Sequence, residues 1–331
     1  MDRIKSALYG FVVGDALGVP VEFNNRNILD LSPVTDMTGY GSHHVPEGVW
    51  SDDTAMTLAT MDSIIKTKTI NYNDIADKFC SWLYEKKYTA TNVVFDVGIT
   101  TNEALNRYKQ QKLQYNNNNG NNNSNNNNII DATICGGKNE MNNGNGSLMR
   151  ILPIAFYCYY QSIDDENKIL EFVKNVSSIT HGHEISIMGC YIYVQYIINL
   201  LKGKNKYESY TFIQNLDYSM FQNQTQMVYE RLLKNNIVNY ERDNIQSSGY
   251  VVSTLEASLW CLLKGNNLKD TILTAVNLGN DTDTVGAITG SLAGMIYNYE
   301  DIPKNWIEKL KNKELLNDLI KKFSDFCLNI N

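Results

Sequence analysis

Apolar residues recur every three to four positions along most of the chain, the period of a helix with one buried face. Ile4, Leu8 and Phe11 share one face of an opening helix, and Met56, Ala59, Ile64 and Ile65 mark another that begins after Ser51. The same period predicts helices over 72–85, 98–113, 166–178, 184–201, 250–263, 268–278, 284–297 and 304–328. Alternating strand patterns are scarce and no strand–helix–strand rhythm appears. The expectation is an all-α protein, with residues 1–331 forming a single compact multi-helix domain.

Composition changes this picture at one place. Asn116 to Asn128 is almost pure asparagine, relieved by Gly120 and Ser124. Such a tract has no apolar side chains with which to offset its ordering entropy, so a disordered surface insertion is expected there. Elsewhere the chain is ordinary for a globular protein, with 43% hydrophobic and 20% charged residues and no Pro/Gly/Ser-rich linker. A net charge of -7, with both signs interspersed, disfavours nucleic acid and anionic membrane as partners. Six cysteines stand far apart without a CxxC pair and read as reduced, buried thiols. The N-terminus makes a poor signal peptide, and the longest apolar run, Ile187 to Leu201, is interrupted and short for a membrane span. A monomeric cytoplasmic protein is the expectation, with a nuclear location also open.

Two acidic constellations are candidates for chemistry. Ser51-Asp52-Asp53-Thr54 starts a helix, and a Ser N-cap followed by an acid suits any helix N-terminus. A cap needs only one of the two acids. Asn280-Asp281-Thr282-Asp283-Thr284 is also a turn leading into a helix, one that carries Gly286, Gly290 and Gly294 and so admits a close helical neighbour. An EF-hand would need Gly at its sixth position and Glu at its twelfth, and this loop has neither. Hard oxygen donors suit magnesium, manganese or calcium, whereas zinc prefers nitrogen and sulfur, and the chain has only four histidines. Should the two pairs meet in the fold, the carboxylates would repel one another unless cations lay between them, and two ions about 3.5–4 Å apart are the usual arrangement.

The motifs together resemble the ADP-ribosylglycohydrolase family. Gly14-Asp15-Ala16-Leu17-Gly18 with Glu22 is similar to the family's opening segment, and Ser51-Asp52-Asp53-Thr54 to its first metal motif. Asp96-Val97-Gly98, Gly144-Asn145-Gly146-Ser147-Leu148-Met149-Arg150, Thr180-His181-Gly182-His183 and Asp281-Thr282-Asp283-Thr284 follow in the family's order. The pattern looks nearest to the branch that includes dinitrogenase-reductase-activating glycohydrolase. Asn280 stands where the family often has glycine, and asparagine tolerates the left-handed backbone such a turn needs. Glu184 stands where a proline is common.

The resemblance implies a binuclear centre of two divalent cations, Mg2+ or Mn2+, at the base of a cleft. Ser51, Asp52, Asp53, Asp281, Asp283 and Thr284 would be its ligands. Glu22 and Asp96 would be the catalytic acids beside the attacking water and the reacting ribose. Gly144, Asn145, Gly146, Ser147 and His181 would bind diphosphate and ribose, with His183 structural. Tyr250 resembles a position near the nucleoside, where an aromatic stacking on adenine and an ordinary buried tyrosine are both open. Alone, Gly144-Asn145-Gly146 is a turn and His181 a hydrogen-bonded core histidine; their neighbours turn both towards ligand contact. The implied activity is metal-dependent removal of ADP-ribose from mono-ADP-ribosylated protein, with arginine as acceptor. ADP-ribosyl-serine, O-acetyl-ADP-ribose, a non-catalytic ADP-ribose-binding or structural role, and a two-metal phosphoesterase are the alternatives.

Overall fold

The computed structural model describes residues 2–120 and 130–328. Its helices run in the order α1 (Arg3–Gly18), α2 (Arg26–Leu31), α3 (Asp52–Thr67), α4 (Tyr72–Glu85), α5 (Ile99–Gly120), α6 (Leu152–Tyr160), α7 (Glu166–Ser178) and α8 (Glu184–Leu201). They continue with α9 (Lys206–Asn215), α10 (Asn223–Val228), α11 (Glu230–Leu233), α12 (Val251–Lys264), α13 (Leu268–Val276), α14 (Thr282–Ile296), α15 (Lys304–Lys309) and α16 (Lys313–Leu328). Among the described residues only isolated bridges occur in place of strands, so the all-helical expectation holds. Of the asparagine tract, residues up to Gly120 extend α5 and 121–128 lie outside the described residues.

Helices buried on every side form the centre. In α8 every residue from Ser186 to Leu201 is buried, and in α14 every residue from Thr282 to Met295. Such helices are apolar all round because neighbours cover each face. The windows Arg3–Val21 and Glu184–Leu201 match a membrane span in length and hydropathy, yet 89% of each is buried inside the fold.

The α1–α14 contact decides where the chemistry sits. A Cβ on Gly10 would lie 2.2 Å from the Gly290 carbonyl oxygen, one on Gly14 2.0 Å from that of Gly286, and one on Gly18 2.3 Å from the Asp283 Cα. The pairing is antiparallel, backbone against backbone. It lays the C-terminal end of α1, with Asp15 and the turn to Glu22, beside the N-terminal end of α14, with Asp281 and Asp283.

Two differences from the expected elements have tertiary causes. The helix expected over 304–328 breaks between α15 and α16, where Leu310 is extended and Asn312 has a φ of 47°. There the Lys311 amide donates to the Gly48 carbonyl (2.9 Å) and its own carbonyl accepts from Trp50 Nε1 (3.3 Å), which fastens the segment leading into α3. Helix α6 and the short helices α9 to α11 had no clear periodic signal. Tyr250, expected inside a helix, is instead the N-cap residue of α12.

Candidate active site

Helix α3 begins at a buried N-terminus, and its cap is supplied from α1. The Asp15 carboxylate accepts from the amides of Ser51 (2.9 Å) and Thr54 (3.1 Å) and from Thr54 Oγ1 (2.6 Å). Ser51 Oγ adds a bond from the Asp53 amide (3.2 Å). Burial pushes the Asp15 carboxyl up to about 6 despite its three donors. Asp52 and Asp53 are thereby held in the first turn of α3, pointing to the end of α14.

A cavity of about 280 Å³ opens at this junction, lined by Glu22, Asp52, Asp53, Asp96, Asp281 and Thr284 on its acidic side and by Gly144, Asn145, Gly146 and His181 opposite. Carboxylate oxygens of Glu22, Asp281 and Asp283 lie within 4.8 Å of one another. Asn145 Nδ2 bridges to Asp281 Oδ2 (2.9 Å) and Thr254 Oγ1 (2.9 Å), and Thr284 Oγ1 approaches Asp53 Oδ1 (3.4 Å). Among the described residues, no lysine or arginine lines the cavity. A wider cleft of about 500 Å³, lined by Asn25, Arg26, Asp243, Gln246 and Ser248 among others, lies across the Asn280–Asp281 turn, but no carboxylates converge in it.

The electrostatics of the acidic side are lopsided. Burial, then the neighbouring carboxylates, hold Asp52, Asp53 and Asp283 well above the ordinary carboxylate range, and burial raises Asp96 against the opposing effect of His43. Burial, then the neighbouring carboxylates, also push Glu22 up to about 10. Asp53 Oδ2 and Asp281 Oδ1 are buried with no hydrogen-bond partner. An uncompensated buried carboxylate costs several kcal/mol, so orphaned oxygens among clustered acids are what a cation-binding donor set looks like without its cations. The residues fit divalent metal.

The opposite wall is tuned differently. Arg150, buried without a carboxylate partner, donates to the Val176 carbonyl and to Thr180 Oγ1 (2.6 Å). The buried Thr180 hydroxyl has no other acceptor for its own proton among the described residues, so it donates to His181 Nδ1 (2.9 Å), which assigns the ring as the Nε2–H tautomer. Burial, then the Arg150 charge, lowers His181 to about 3, so it stays neutral. Gly146 is glycine because a Cβ there would stand 2.7 Å from the His181 ring. The loop is tied across to α12 by the Asn145 amide donating to the Gly249 carbonyl and the Val251 amide to that of Asn143.

The structure thus brings together most of the expected residues: Glu22, Asp52, Asp53, Asp96, Asp281, Thr284, Gly144, Asn145, Gly146 and His181 all line one cavity, with Asp283 against Glu22 and Asp281. Ser51 serves as the α3 cap. The Ser147 hydroxyl does not reach the cavity. It is fully buried between Ser177 Oγ (3.0 Å) and Cys190 Sγ (3.4 Å), because the turn into Leu148–Arg150 points it at the core. Tyr250 is 37% exposed and its backbone pairs with Gly144, but its ring is not part of the lining. His183, expected to be structural, caps α8. Asn280 has the left-handed backbone expected of it, with a φ of 63°.

Several residues had escaped notice as site residues, three of them beside the acids or at the edge of the cavity. Asp15 lay in a quoted motif without a role, Phe23 lines the cavity mouth, and His43 touches Glu22. The signal for His43 was faint: Gly39-Tyr40-Gly41-Ser42-His43-His44 marks a tight turn, but nothing in it points to Glu22.

The domain is all-helical, and its site sets clustered carboxylates that could hold cations in one cavity with Gly144, Gly146 and His181. The chain belongs to the ADP-ribosylglycohydrolase family, whose model matches residues 1–329, and its members hydrolyse glycosidic bonds. It is 30% identical to the ADP-ribosylarginine hydrolase Tri1 of Serratia proteamaculans (strain 568), over 97% of this chain and 79% of that one. It is 29% identical to the ADP-ribosyl-[dinitrogen reductase] glycohydrolase of Rhodospirillum rubrum, over 94% and 91%. A solved ADP-ribosylglycohydrolase-related protein complex matches in fold with a TM-score of 0.76 at 26% identity, covering 98% of each chain.

Proposed function

We propose that the protein is a metal-dependent hydrolase that releases ADP-ribose from mono-ADP-ribosylated protein, with arginine as the acceptor. The observation that carries this reading is the set of buried carboxylates on one cavity, two of their oxygens unpartnered. The arginine acceptor is supported by the relatives named as ADP-ribosylarginine hydrolases.

Ser51, Asp52, Asp53, Asp281, Asp283 and Thr284 are the residues that would hold two divalent cations, Mg2+ or Mn2+. Bound there, the cations would supply charge neutralisation and a grip on vicinal ribose hydroxyls. The chain's own residues do the rest. Asn145 fixes the orientation of the Asp281 carboxylate through its Nδ2 bond. Glu22 and Asp96 border the same cavity, where the glycosidic bond opens through an oxocarbenium-like state and its electron pair leaves with the guanidine; one carboxylate takes the proton of the attacking water, and the departing guanidine picks it up. His181, neutral and with its Nε2–H free of Thr180, donates to ligand oxygen without adding charge. Gly144 and Gly146 carry no side chain of their own, so a diphosphate could approach their backbone closely, beside the His181 ring.

The test is product analysis after incubation with an ADP-ribosyl-arginine peptide, with magnesium or manganese and with chelator. Metal-dependent release of intact ADP-ribose supports the reading. Release only from an ADP-ribosyl-serine peptide or O-acetyl-ADP-ribose moves the acceptor, AMP as product moves the bond, and binding without turnover makes the protein a reader.

A further inference from the structure

We propose that the tight turn at residues 40–45 is a clamp for Glu22, with His43 as the residue that positions the Glu22 carboxylate for hydrolysis; this rests on the hydrolase reading above. The segment Gly41–His43 holds Glu22 at two points. Ser42 Oγ donates to the Glu22 carbonyl (2.5 Å), and His43 Nε2 meets Glu22 Oε2 (2.5 Å). One grip fixes the backbone and the other the functional oxygen.

The turn is strained in a way that packing alone does not require. Tyr40, Gly41 and His44 all have left-handed backbone, with φ of 67°, 54° and 55°. Each non-glycine residue so placed costs about 1 kcal/mol or more, and such strain gathers where the surroundings over-determine a functional geometry. The turn is closed by the Tyr40 amide donating to the Val45 carbonyl, and it presses on the stretch before Glu22 so closely that a Cβ on Gly41 would lie 1.8 Å from the Pro20 carbonyl oxygen. Yet Tyr40 itself is 67% exposed, so burying its ring is not what the strain achieves.

The His43 ring is immobilised from both sides. Phe23 and Phe95 lie at ring-centroid distances of 5.7 Å and 5.1 Å, tilted at 53° and 50°. These are the neighbours in sequence of the two acids, Glu22 and Asp96. Phe23 and Asp96 are left-handed as well, and the Phe23 amide is pinned to the Asn280 carbonyl (2.7 Å). His43, Glu22 and Asp96 present ligand atoms within 4.8 Å of one another. The ring is thus an aromatic wedge whose nitrogen holds one carboxyl oxygen of Glu22. That grip fixes the Glu22 carboxyl where it lines the cavity beside Asp96, Asp281 and Asp283.

The experiment compares wild type with His43→Phe, which keeps the wedge and removes the nitrogen, and His43→Gln, whose amide restores a polar partner. For each variant kcat, KM, the Kd of ADP-ribose and Tm are measured, with arginine- and serine-linked ADP-ribosyl peptides as substrates. The expected result is that His43→Phe lowers kcat by about 10- to 100-fold, the usual effect of removing an orienting partner, while KM and the ADP-ribose Kd stay within about twofold. His43→Gln recovers most of the loss. Ser42→Ala, which removes only the backbone grip and is safe for folding, lowers kcat by about fivefold, the worth of one neutral hydrogen bond. A His43→Phe enzyme as fast as wild type overturns the clamp, as does a His43→Gln enzyme no better than His43→Phe. If His43→Phe does not fold, undiminished kcat in Ser42→Ala overturns it instead. A wild type that cleaves neither linkage overturns the hydrolase reading and the clamp with it, so the two failures are told apart.

Discussion

Asp283→Asn should stabilise the metal-free protein and weaken its response to metal, two effects of opposite sign from one isosteric change. Asp283 is buried, and its carboxylate lies within 4.8 Å of those of Glu22 and Asp281. Two unit charges at that distance, in an effective dielectric near 20, repel by about 3.5 kcal/mol. Protonation caps the repulsion. Holding a carboxyl of ordinary value 3.8 in its acid form at pH 8 costs about 6 kcal/mol. Relief by Asn therefore falls between about 3.5 and 6 kcal/mol. The amide oxygen can still accept from the Thr284 amide, as Asp283 Oδ1 does at 2.9 Å. The sign follows from linkage: Asp283 and Glu22 are raised in the folded state, so without metal the folded state binds more protons and stability falls as pH rises. For Glu22 that window runs from about 4.5 to about 10. The assay is thermal melting at pH 6 and pH 8, in chelator and in millimolar magnesium or manganese. In chelator at pH 8 the variant should melt about 7 °C or more above wild type, at about 2 °C per kcal/mol, with a flatter pH dependence. In metal the ordering should reverse or close, and hydrolysis should collapse. A chelated variant that melts at or below chelated wild type refutes the account of the acidic cluster.

Asp15→Ala leaves the amides of Ser51 and Thr54 without their acceptor. A loss of about 3 kcal/mol in denaturant unfolding is expected, with a weaker metal response because the start of α3 loosens. Gly14→Ala sets a methyl group 2.0 Å from the Gly286 carbonyl oxygen, so the α1–α14 contact must part. It should cost at least about 3 kcal/mol, read as loss of soluble protein or a collapsed melting transition. Thr180→Val removes the hydroxyl bonded to His181 Nδ1, and should raise the ADP-ribose Kd by about tenfold in calorimetry and lower the melting temperature, because buried Arg150 loses the same oxygen as an acceptor. Since burial holds His181 neutral down to about 3, wild-type ADP-ribose affinity should show no titration from this ring between pH 5 and 8.

The fold was legible wherever period and burial agreed. α4, α7 and α8 begin and end where the apolar spacing says they should. The interrupted helix at Leu310–Asn312 was not, because the cause is a pair of hydrogen bonds to Gly48 and Trp50, far away along the chain. The acidic pairs were legible as chemistry because two adjacent acids exceed what a helix cap uses. The Gly286, Gly290 and Gly294 spacing also foretold a close neighbour, though not that Gly10 and Gly14 of α1 would be that neighbour. Ser147 was read from its place in a motif, and only the turn after it shows that the hydroxyl points into the core.

The amino-acid pattern alone establishes that the chain is helical, that hard oxygen donors stand in two separated clusters, and that its motifs run in the order of one glycohydrolase family. Those properties are local: a helical period, a residue type, a spacing. Packing is what puts the two clusters on one cavity, makes Asp15 the cap of the helix carrying Asp52 and Asp53, and brings His43 onto Glu22. It also places the Thr180 hydroxyl between Arg150 and His181 Nδ1. Each of these is a contact between elements, made possible by backbones packing at glycine distance, and a contact between elements leaves no periodic trace in either strand of sequence that makes it.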